Sequence, residues 1–123
     1  MLKLIMCTKR LPHLSREEFD HHWLHIHGPL VRKHAQLLGI RRYIQTTPLA
    51  NRDAQRAIQQ GRGALNTDYD GCAELWWDNL ESHYAARSTP EGLAALKELV
   101  ADEQRFVDLS QSELWYGTER DIV

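Results

Sequence analysis

The positions of apolar residues divide the chain into strands and helices. Short apolar runs bounded by proline, glycine or polar residues predict strands over 2–9, 40–47, 71–77 and 112–118. Apolar residues at helical spacing predict helices over 15–38, about 78–87 and 89–108, with a shorter one over 53–60. The main order is β-α-β-β-α-β, with both helical connections broken into pieces. This order predicts an α+β protein, a ferredoxin-like βαββαβ fold with an antiparallel four-stranded sheet.

The first helix carries both a start signal and an interruption. Ser15 and Glu18 are spaced as a capping box, which favours a helix start. Gly28-Pro29 is expected to interrupt or kink the helix, because proline lacks an amide proton and clashes with the preceding turn. On a regular helical wheel, the buried stripe contains Phe19, Trp23 and Ile26.

The predicted sheet carries large apolar residues on both faces. In strand 71–77, Cys72 and Trp76 share one face, and Ala73, Leu75 and Trp77 share the other. A single layer of helices covers only one face, so the other is expected to be buried against a partner. The pattern therefore predicts a homodimer in which two sheets face each other and enclose a cavity.

Length and composition limit the class of protein. A chain of 123 residues predicts one domain, 1–123, with 49–69 as an insertion of loop and short helix. The net charge of -2 argues against a nucleic-acid partner. No apolar run approaches the ~20 residues of a membrane span, so no membrane association is predicted. Two cysteines without a CxxC motif favour a cytoplasmic protein.

The motif around the helix interruption resembles a known family. Phe19-x-x-x-Trp23-x-x-x-His27-Gly28-Pro29-Leu30 is similar to the EthD-like family of the dimeric α+β barrel superfamily. The resemblance continues through 39–43, 70–78, 89–92 and 103–108. It implies a ferredoxin-like fold that pairs into an α+β barrel, with a ligand pocket between helices and sheet in each subunit. It further implies side-chain chemistry without a bound cofactor.

Histidine is the most informative residue type, because five of seven fall between His21 and His34. His27 immediately precedes the interruption, and the resemblance places this histidine at the pocket. Imidazole exchanges protons near neutral pH, so His27 is the first catalytic candidate; a structural histidine at a helix end is the alternative. His22 lies on the other edge of the apolar stripe and is a weaker catalytic candidate. His34, two turns beyond His27, is a candidate substrate contact.

Other histidines are assigned surface or solvated positions. His21 and His25 lie one turn apart and have metal-ligand spacing, but a solvated face is the preferred interpretation, and no metal is predicted. His13 and His83 are predicted to lie at the surface.

Four further residues complete the candidate site. Tyr43 can donate a hydrogen bond to a developing oxyanion, a role the resemblance supports, although a core tyrosine is a serious alternative. Glu74 is a carboxylate in an apolar strand, suited either to proton transfer or to an ion pair with Arg41 or Arg42. Trp76 shares the face of Glu74 and is predicted to stack on a flat substrate. The remaining substrate-binding candidate is Trp23, for which a core position is also considered.

The resemblance, taken with these residues, implies two possible functions from different classes. The first is a cofactor-free enzyme that isomerises, decarboxylates or dehydrates a small aromatic, lactone or polyketide-like substrate by proton transfer. The second is a non-catalytic binding protein of an oxygenase pathway, or an oxidoreductase-associated component, as in the ether-degradation branch of the resemblance. An enzyme would convert its ligand to a product, whereas a binding protein would bind it without forming a product.

Overall fold

The computed structural model of the protein describes residues 1–66 and 68–123. The four strands are β1 Leu2–Thr8, β2 Arg42–Thr46, β3 Gly71–Trp77 and β4 Glu113–Thr118. The α-helices are α1 Arg16–His22, α2 Gly28–His34, α3 Arg52–Arg62, α4 Leu80–Arg87 and α5 Pro90–Glu103. The strands form one sheet in the order β2-β3-β1-β4, and every neighbouring pair is antiparallel. The predicted ferredoxin-like α+β fold is confirmed.

The register separates the sheet into two chemically different faces. Leu4, Leu75 and Tyr43 lie side by side on adjacent strands and face the helices. Ile5, Glu74 and Ile44 form the next row and point to the other side, called the open face below. Trp76 follows Glu74 at an interval of two, so it also lies on the open face.

The predicted interruption of the first helix is a π-helical turn. Ser15 and Glu18 form the predicted capping box of α1. Between α1 and α2, Trp23–His27 is π-helical, and the Gly28 amide donates to the Trp23 carbonyl, five residues back. Pro29 has no amide proton to continue an α-helical ladder, which favours a wider turn at this point.

The extra residue in the π-turn rotates the following side chains. Ile26, predicted to be buried, is 48% exposed, and His27 takes the inward position that Ile26 would hold on a regular helix. The prediction for Ile26 is wrong because a wheel of 3.6 residues per turn does not apply across a π-turn. The π-turn before Gly28-Pro29 therefore directs His27 into the interior.

Gly71 allows the Trp23 ring to lie against the start of β3. A Cβ atom at residue 71 would lie 2.4 Å from the Trp23 ring and 3.0 Å from the Thr46 carbonyl oxygen. Trp23 itself packs with Phe19, whose ring centroid is 5.5 Å away, and Phe19 packs on Phe106 in turn. This aromatic cluster fixes the π-turn against the sheet.

Two other predictions are adjusted by the structure. Helix α5 begins as expected, with Thr89 as its N-cap, but ends at Glu103 rather than near 108. The chain leaves the helix because Val107 forms a β-bridge with Arg10. The predicted 49–69 insertion contains α3, and its residue 67 lies outside the described residues. Among the described helices, none has the length and apolar character needed to traverse a bilayer.

Candidate functional site

A cavity of about 190 Å³ lies between the helix-facing side of the sheet and the helices. Most of its wall is aliphatic or aromatic, including Leu4, Val31, Leu75, Leu99 and Phe106. An apolar protein cavity of ~150 Å³ holds one benzene molecule, so this cavity suits a ligand with a single ring. The polar residues of the wall are Thr8, His27, Tyr43, His83, Arg87 and Glu103, together with the indole groups of Trp23 and Trp77.

His27 is buried in the cavity wall and is oriented by a carboxylate. Its Nδ1 lies 2.8 Å from Oδ2 of Asp102, which is also buried. An ionised carboxylate can only accept, so Nδ1 carries the proton and Nε2 keeps its lone pair. Within the described residues, Nε2 has no hydrogen-bond partner. Burial lowers the pKa of His27, and the opposing effect of Asp102 is smaller. The imidazole is therefore neutral near pH 7 and can act as a base.

Asp102 also receives hydrogen bonds from two other residues. His22 Nε2 lies 3.0 Å from its Oδ1, and Arg105 Nη1 donates to the same oxygen over 3.2 Å. Burial by itself raises the pKa of Asp102, but the hydrogen bonds from His27 and His22 lower it overall. The carboxylate therefore stays ionised and holds His27 in one tautomer.

Tyr43 has one proton available for a ligand. Its hydroxyl oxygen accepts from Trp23 Nε1 and from Gln45 Nε2, each over 3.1 Å. The amide orientation of Gln45 is fixed, because Nε2 also donates to the Trp23 carbonyl over 2.8 Å. Both groups are donors to the tyrosine oxygen, so the O–H of Tyr43 is free to donate a hydrogen bond to another acceptor. Burial raises the pKa of Tyr43, so the hydroxyl remains protonated.

Glu103 is a half-buried carboxyl group in the same cavity wall. Within the described residues it forms no ion pair within 4.0 Å and no side-chain hydrogen bond. Burial raises its pKa to about 7, and the positive charge of Arg87 only partly opposes that effect. The cavity thus holds a neutral imidazole, His27, and a carboxyl group, Glu103, that keeps its proton up to about pH 7.

His83 is buried in the cavity wall, so the prediction that it lies at the surface is wrong. It is 1% exposed, packs 4.1 Å from Trp77 between ring centroids, and lines the cavity. Its Nδ1 is buried and has no hydrogen-bond partner within the described residues. Such an unsatisfied group costs about 1–3 kcal/mol, which marks this position for a role beyond packing.

The structure brings three of the predicted site residues to the cavity, His27, Tyr43 and Trp23. His22 lies behind the wall, where it binds Asp102 and stacks on Phe106 at 4.6 Å between ring centroids. His34 does not line the cavity; its Nε2 lies 2.7 Å from the exposed Glu98 carboxylate.

Glu74 and Trp76 lie on the open face, away from the cavity. Glu74 forms an ion pair with Lys3, rather than with Arg41 or Arg42. The Trp76 ring lies between the Lys3 ammonium at 4.8 Å and the Arg42 guanidinium at 5.0 Å from its centroid. Its Nε1 donates to Glu119. These groups satisfy one another, and Arg41 instead pairs with Asp78.

The spacing of His21 and His25 does not develop into a larger cluster. Their ring centroids are 4.8 Å apart on the exposed side of the helix. Across residues 1–66 and 68–123, there is no group of three or more histidine, cysteine, aspartate or glutamate residues arranged to hold a metal ion.

The fold and this cluster of acid–base groups define a small α+β protein with a largely apolar cavity between its sheet and its helices. The family model for the EthD domain matches residues 11–110. The chain belongs to the EthD domain family, as the His27-Gly28-Pro29 motif predicted.

Similar proteins include one with a named activity. A protein of Claviceps purpurea (strain 20.1) named "Decarboxylase" is 25% identical over 126 residues, covering 99% of this chain and 85% of the relative. A solved EthD family protein of Bacillus halodurans c-125 is 27% identical, with a TM-score of 0.62, covering 98% of this chain and 99% of that protein.

Two more distant solved structures share the fold. The cofactor-independent oxygenase SnoaB of Streptomyces nogalater is 16% identical, with a TM-score of 0.54, over 99% of this chain and 95% of its own. A dimeric protein of ferredoxin-like fold from Bacteroides fragilis NCTC 9343 is 16% identical, with a TM-score of 0.52, over 96% of this chain and 95% of that protein.

Four residues of the site were not predicted from the sequence: Asp102, Glu103, His83 and Arg87. Asp102-Glu103 belongs to a helix with the pattern of an ordinary amphipathic segment, and no local motif identifies its polar residues. One signal was available: acidic residues in the last turn of a helix oppose the helix dipole, so they need a separate reason to be there.

Proposed function

We propose that this protein is a cofactor-independent decarboxylase of a small carboxylic acid with a single ring. The observation that carries the proposal is the meeting of His27, Tyr43 and Glu103 at one largely apolar cavity. The relative named "Decarboxylase" supports this choice among the proton-transfer reactions compatible with the sequence. The cavity volume of about 190 Å³ supports one ring rather than a fused polycyclic skeleton.

The proposed substrate carries a hydroxyl group on the ring atom next to the carbon that bears the carboxylate. His27 Nε2 takes the proton of the hydroxyl group, and the electron pair moves through the ring to that carbon. Glu103, protonated near neutral pH, donates a proton to the same carbon. The bond to the carboxylate then breaks, CO₂ leaves, and its bonding electrons restore the ring. Protonated His27 then returns its proton to the oxygen, and Glu103 regains a proton from solvent, so each turnover consumes one proton and releases one CO₂.

Tyr43 stabilises the intermediate in this scheme. Its free O–H donates to the substrate oxygen while negative charge accumulates there, and the hydrogen bonds from Trp23 and Gln45 make it a stronger donor. Asp102 acts as a positioning residue, because it holds the Nδ1 proton of His27 and so directs the basic Nε2 to the cavity. His22 supports the same carboxylate.

A homodimer formed through the open face belongs to the same proposal. This face carries Ile5, Ile44 and Trp115, and Trp115 is exposed in the single chain. The dimeric neighbour of the same fold supports the pairing of two sheets into an α+β barrel. Each chain keeps its own cavity on the helix side of its sheet.

The test is CO₂ release from a panel of single-ring aromatic acids with a hydroxyl group next to the carbon that bears the carboxylate. We expect wild type to decarboxylate at least one member, and His27→Gln to bind it without releasing CO₂. His21→Gln is the matched control, because His21 is exposed on the same helical segment. Binding without turnover by wild type supports the non-catalytic carrier instead, and equal turnover by His27→Gln contradicts the proposed mechanism.

A further inference from the structure

The wall of the cavity contains an arginine whose charge is not neutralised by a carboxylate within the described residues. We propose that Arg87, held in place by His83 and Tyr116, binds the carboxylate group of the ligand. This inference rests on the proposed function for its choice of a single-ring acid, and it concerns recognition rather than chemistry.

The contacts of Arg87 orient it without cancelling its charge. Its Nη1 lies 2.6 Å from His83 Nε2 and 3.5 Å from the Tyr116 hydroxyl. Arginine can only donate, so His83 Nε2 accepts and the ring is neutral, with its proton on the buried Nδ1. The Tyr116 hydroxyl lies 3.0 Å from the same Nε2 and completes the cluster. Neutral partners thus fix the guanidinium on one side.

The rest of the guanidinium is available for a ligand. Within the described residues, only Nη1 of Arg87 forms hydrogen bonds, so Nε and Nη2 keep their protons free for an acceptor. A guanidinium matches a carboxylate with two parallel hydrogen bonds, which is its preferred recognition geometry. A carboxylic acid therefore fits this position better than a neutral ligand of equal shape.

A comparison with Arg10 shows what is unusual about Arg87. Both arginines are half-buried. Arg10 Nη1 lies 2.5 Å from the buried Asp70 carboxylate, whereas Arg87 has no carboxylate within 4.0 Å among the described residues. Removal of a charge from water is costly, so a half-buried arginine gains from a carboxylate partner. The missing partner of Arg87 is the group we assign to the ligand.

The nearby Glu103 supports a ligand in this role. The charge of Arg87 acts on Glu103, although the two do not form an ion pair. A ligand carboxylate on Arg87 neutralises that charge and brings a second negative group close to Glu103. Both effects favour the protonated form of Glu103 in the complex, which is the form that the proposed reaction needs.

The test is isothermal titration calorimetry with benzoate and with benzamide, its neutral counterpart of the same shape. We expect wild type to bind benzoate more tightly than benzamide. Arg87→Gln is expected to weaken benzoate binding by about 10- to 100-fold and to leave benzamide binding unchanged. Arg87→Lys keeps the charge but loses the fork, so an intermediate loss is expected. Arg41→Gln is the control, because Arg41 is exposed and paired with Asp78.

Benzamide binding also reports whether each variant is folded. Equal affinity of wild type for both probes, equal loss of both in Arg87→Gln, or no binding of either probe would overturn the inference. Selective benzoate binding through Arg87, with no acid in the panel decarboxylated, keeps this inference and contradicts the proposed function. Decarboxylation by wild type, with an unchanged KM in Arg87→Gln, supports the proposed function and contradicts the role of Arg87 in binding.

Discussion

The two faces of the sheet carry similar residue types and use them in opposite ways. On the open face, the charges of Lys3 and Glu74 pair with each other, and the Trp76 ring lies between two cations. On the helix side, Tyr43 keeps a free hydroxyl proton, His27 a free lone pair and Glu103 a carboxyl group without a partner among the described residues. The difference shows that unused hydrogen-bonding capacity, rather than residue type, distinguishes the candidate site.

The largest effect is expected from removing the base. His27→Gln should reduce kcat/KM for decarboxylation by about 10²- to 10⁴-fold, because glutamine cannot take the proton. The expected defect lies in kcat rather than in KM, since the ring of the substrate contacts mainly apolar groups. Steady-state kinetics on a substrate from the CO₂ assay measures both. A defect confined to KM would assign His27 to binding.

Asp102→Asn tests the orientation of His27 without removing it. An asparagine amide can donate to Nδ1, which would move the imidazole proton to Nε2 and eliminate the base. We expect a loss of roughly 10²- to 10⁴-fold in kcat, with a changed pH profile. A merely structural role would lower stability and leave the pH profile of the remaining activity as in wild type. Asp78→Asn is the control, because Asp78 is exposed.

Glu103→Gln separates activity from stability. In the native protein Glu103 holds its proton up to about pH 7, whereas the unfolded carboxyl releases it near 4.5. The native state therefore binds more protons between these values, and stability falls as pH rises through this window. At pH 8 the variant should be more stable than wild type by on the order of 1–3 kcal/mol, and less active.

Urea unfolding at pH 8 and at pH 5 measures this difference. We expect the advantage of Glu103→Gln to shrink at pH 5, because native wild-type Glu103 is then protonated. A variant that is less stable than wild type at pH 8 would mean that the carboxylate is paired in solution. Glu91→Gln, on an exposed position of the same helix, should change stability little at either pH.

Gly71→Ala tests the support of the cavity by Trp23. The new Cβ would lie 2.4 Å from the Trp23 ring, so the indole must shift, and we expect its hydrogen bond to Tyr43 to weaken. We expect a loss of about 1–3 kcal/mol in the free energy of unfolding. Gly61→Ala is matched, because nothing lies within 4 Å of its Cβ. That variant should gain about 0.5–1 kcal/mol, since alanine favours a helix. Thermal unfolding measures the Tm of both variants. Equal shifts in Tm for Gly71→Ala and Gly61→Ala would contradict the packing described for Trp23.

The smallest effect is expected on the open face. Glu74→Gln breaks an ion pair with Lys3 that is not fully buried, so the expected change in stability is within about 1 kcal/mol. The expected change in kcat/KM is below about twofold, because Glu74 does not line the cavity. A loss comparable to that of His27→Gln would place proton transfer on the open face, within the proposed barrel.

The sequence predicted the fold well because its signals are local. The capping box at Ser15, the Thr89-Pro90 helix start and the apolar run of β3 each depend on neighbouring residues. The same reasoning, helped by the motif around Gly28-Pro29, selected His27 and Tyr43, which both line the cavity.

The rest of the site depends on contacts between distant parts of the chain. Asp102 meets His27 across 75 positions, and Arg87 meets Tyr116 across 29. A helical wheel also failed at Ile26, because one π-turn changes every later side-chain direction. Strand alternation correctly grouped Glu74 with Trp76, but it does not tell which face of a sheet meets the helices.

The most direct test of a ligand site on the helix side uses the four tryptophans, two for each side of the sheet. Trp23 and Trp77 line the cavity, whereas Trp76 and Trp115 lie on the open face. Titration of ¹⁵N-labelled protein with benzoate, followed through the four indole N–H signals, reports both sides in one experiment. We predict saturable shifts of Trp23 and Trp77, with Trp76 and Trp115 unchanged. Shifts of Trp76 and Trp115 alone would contradict this assignment and place the ligand on the open face.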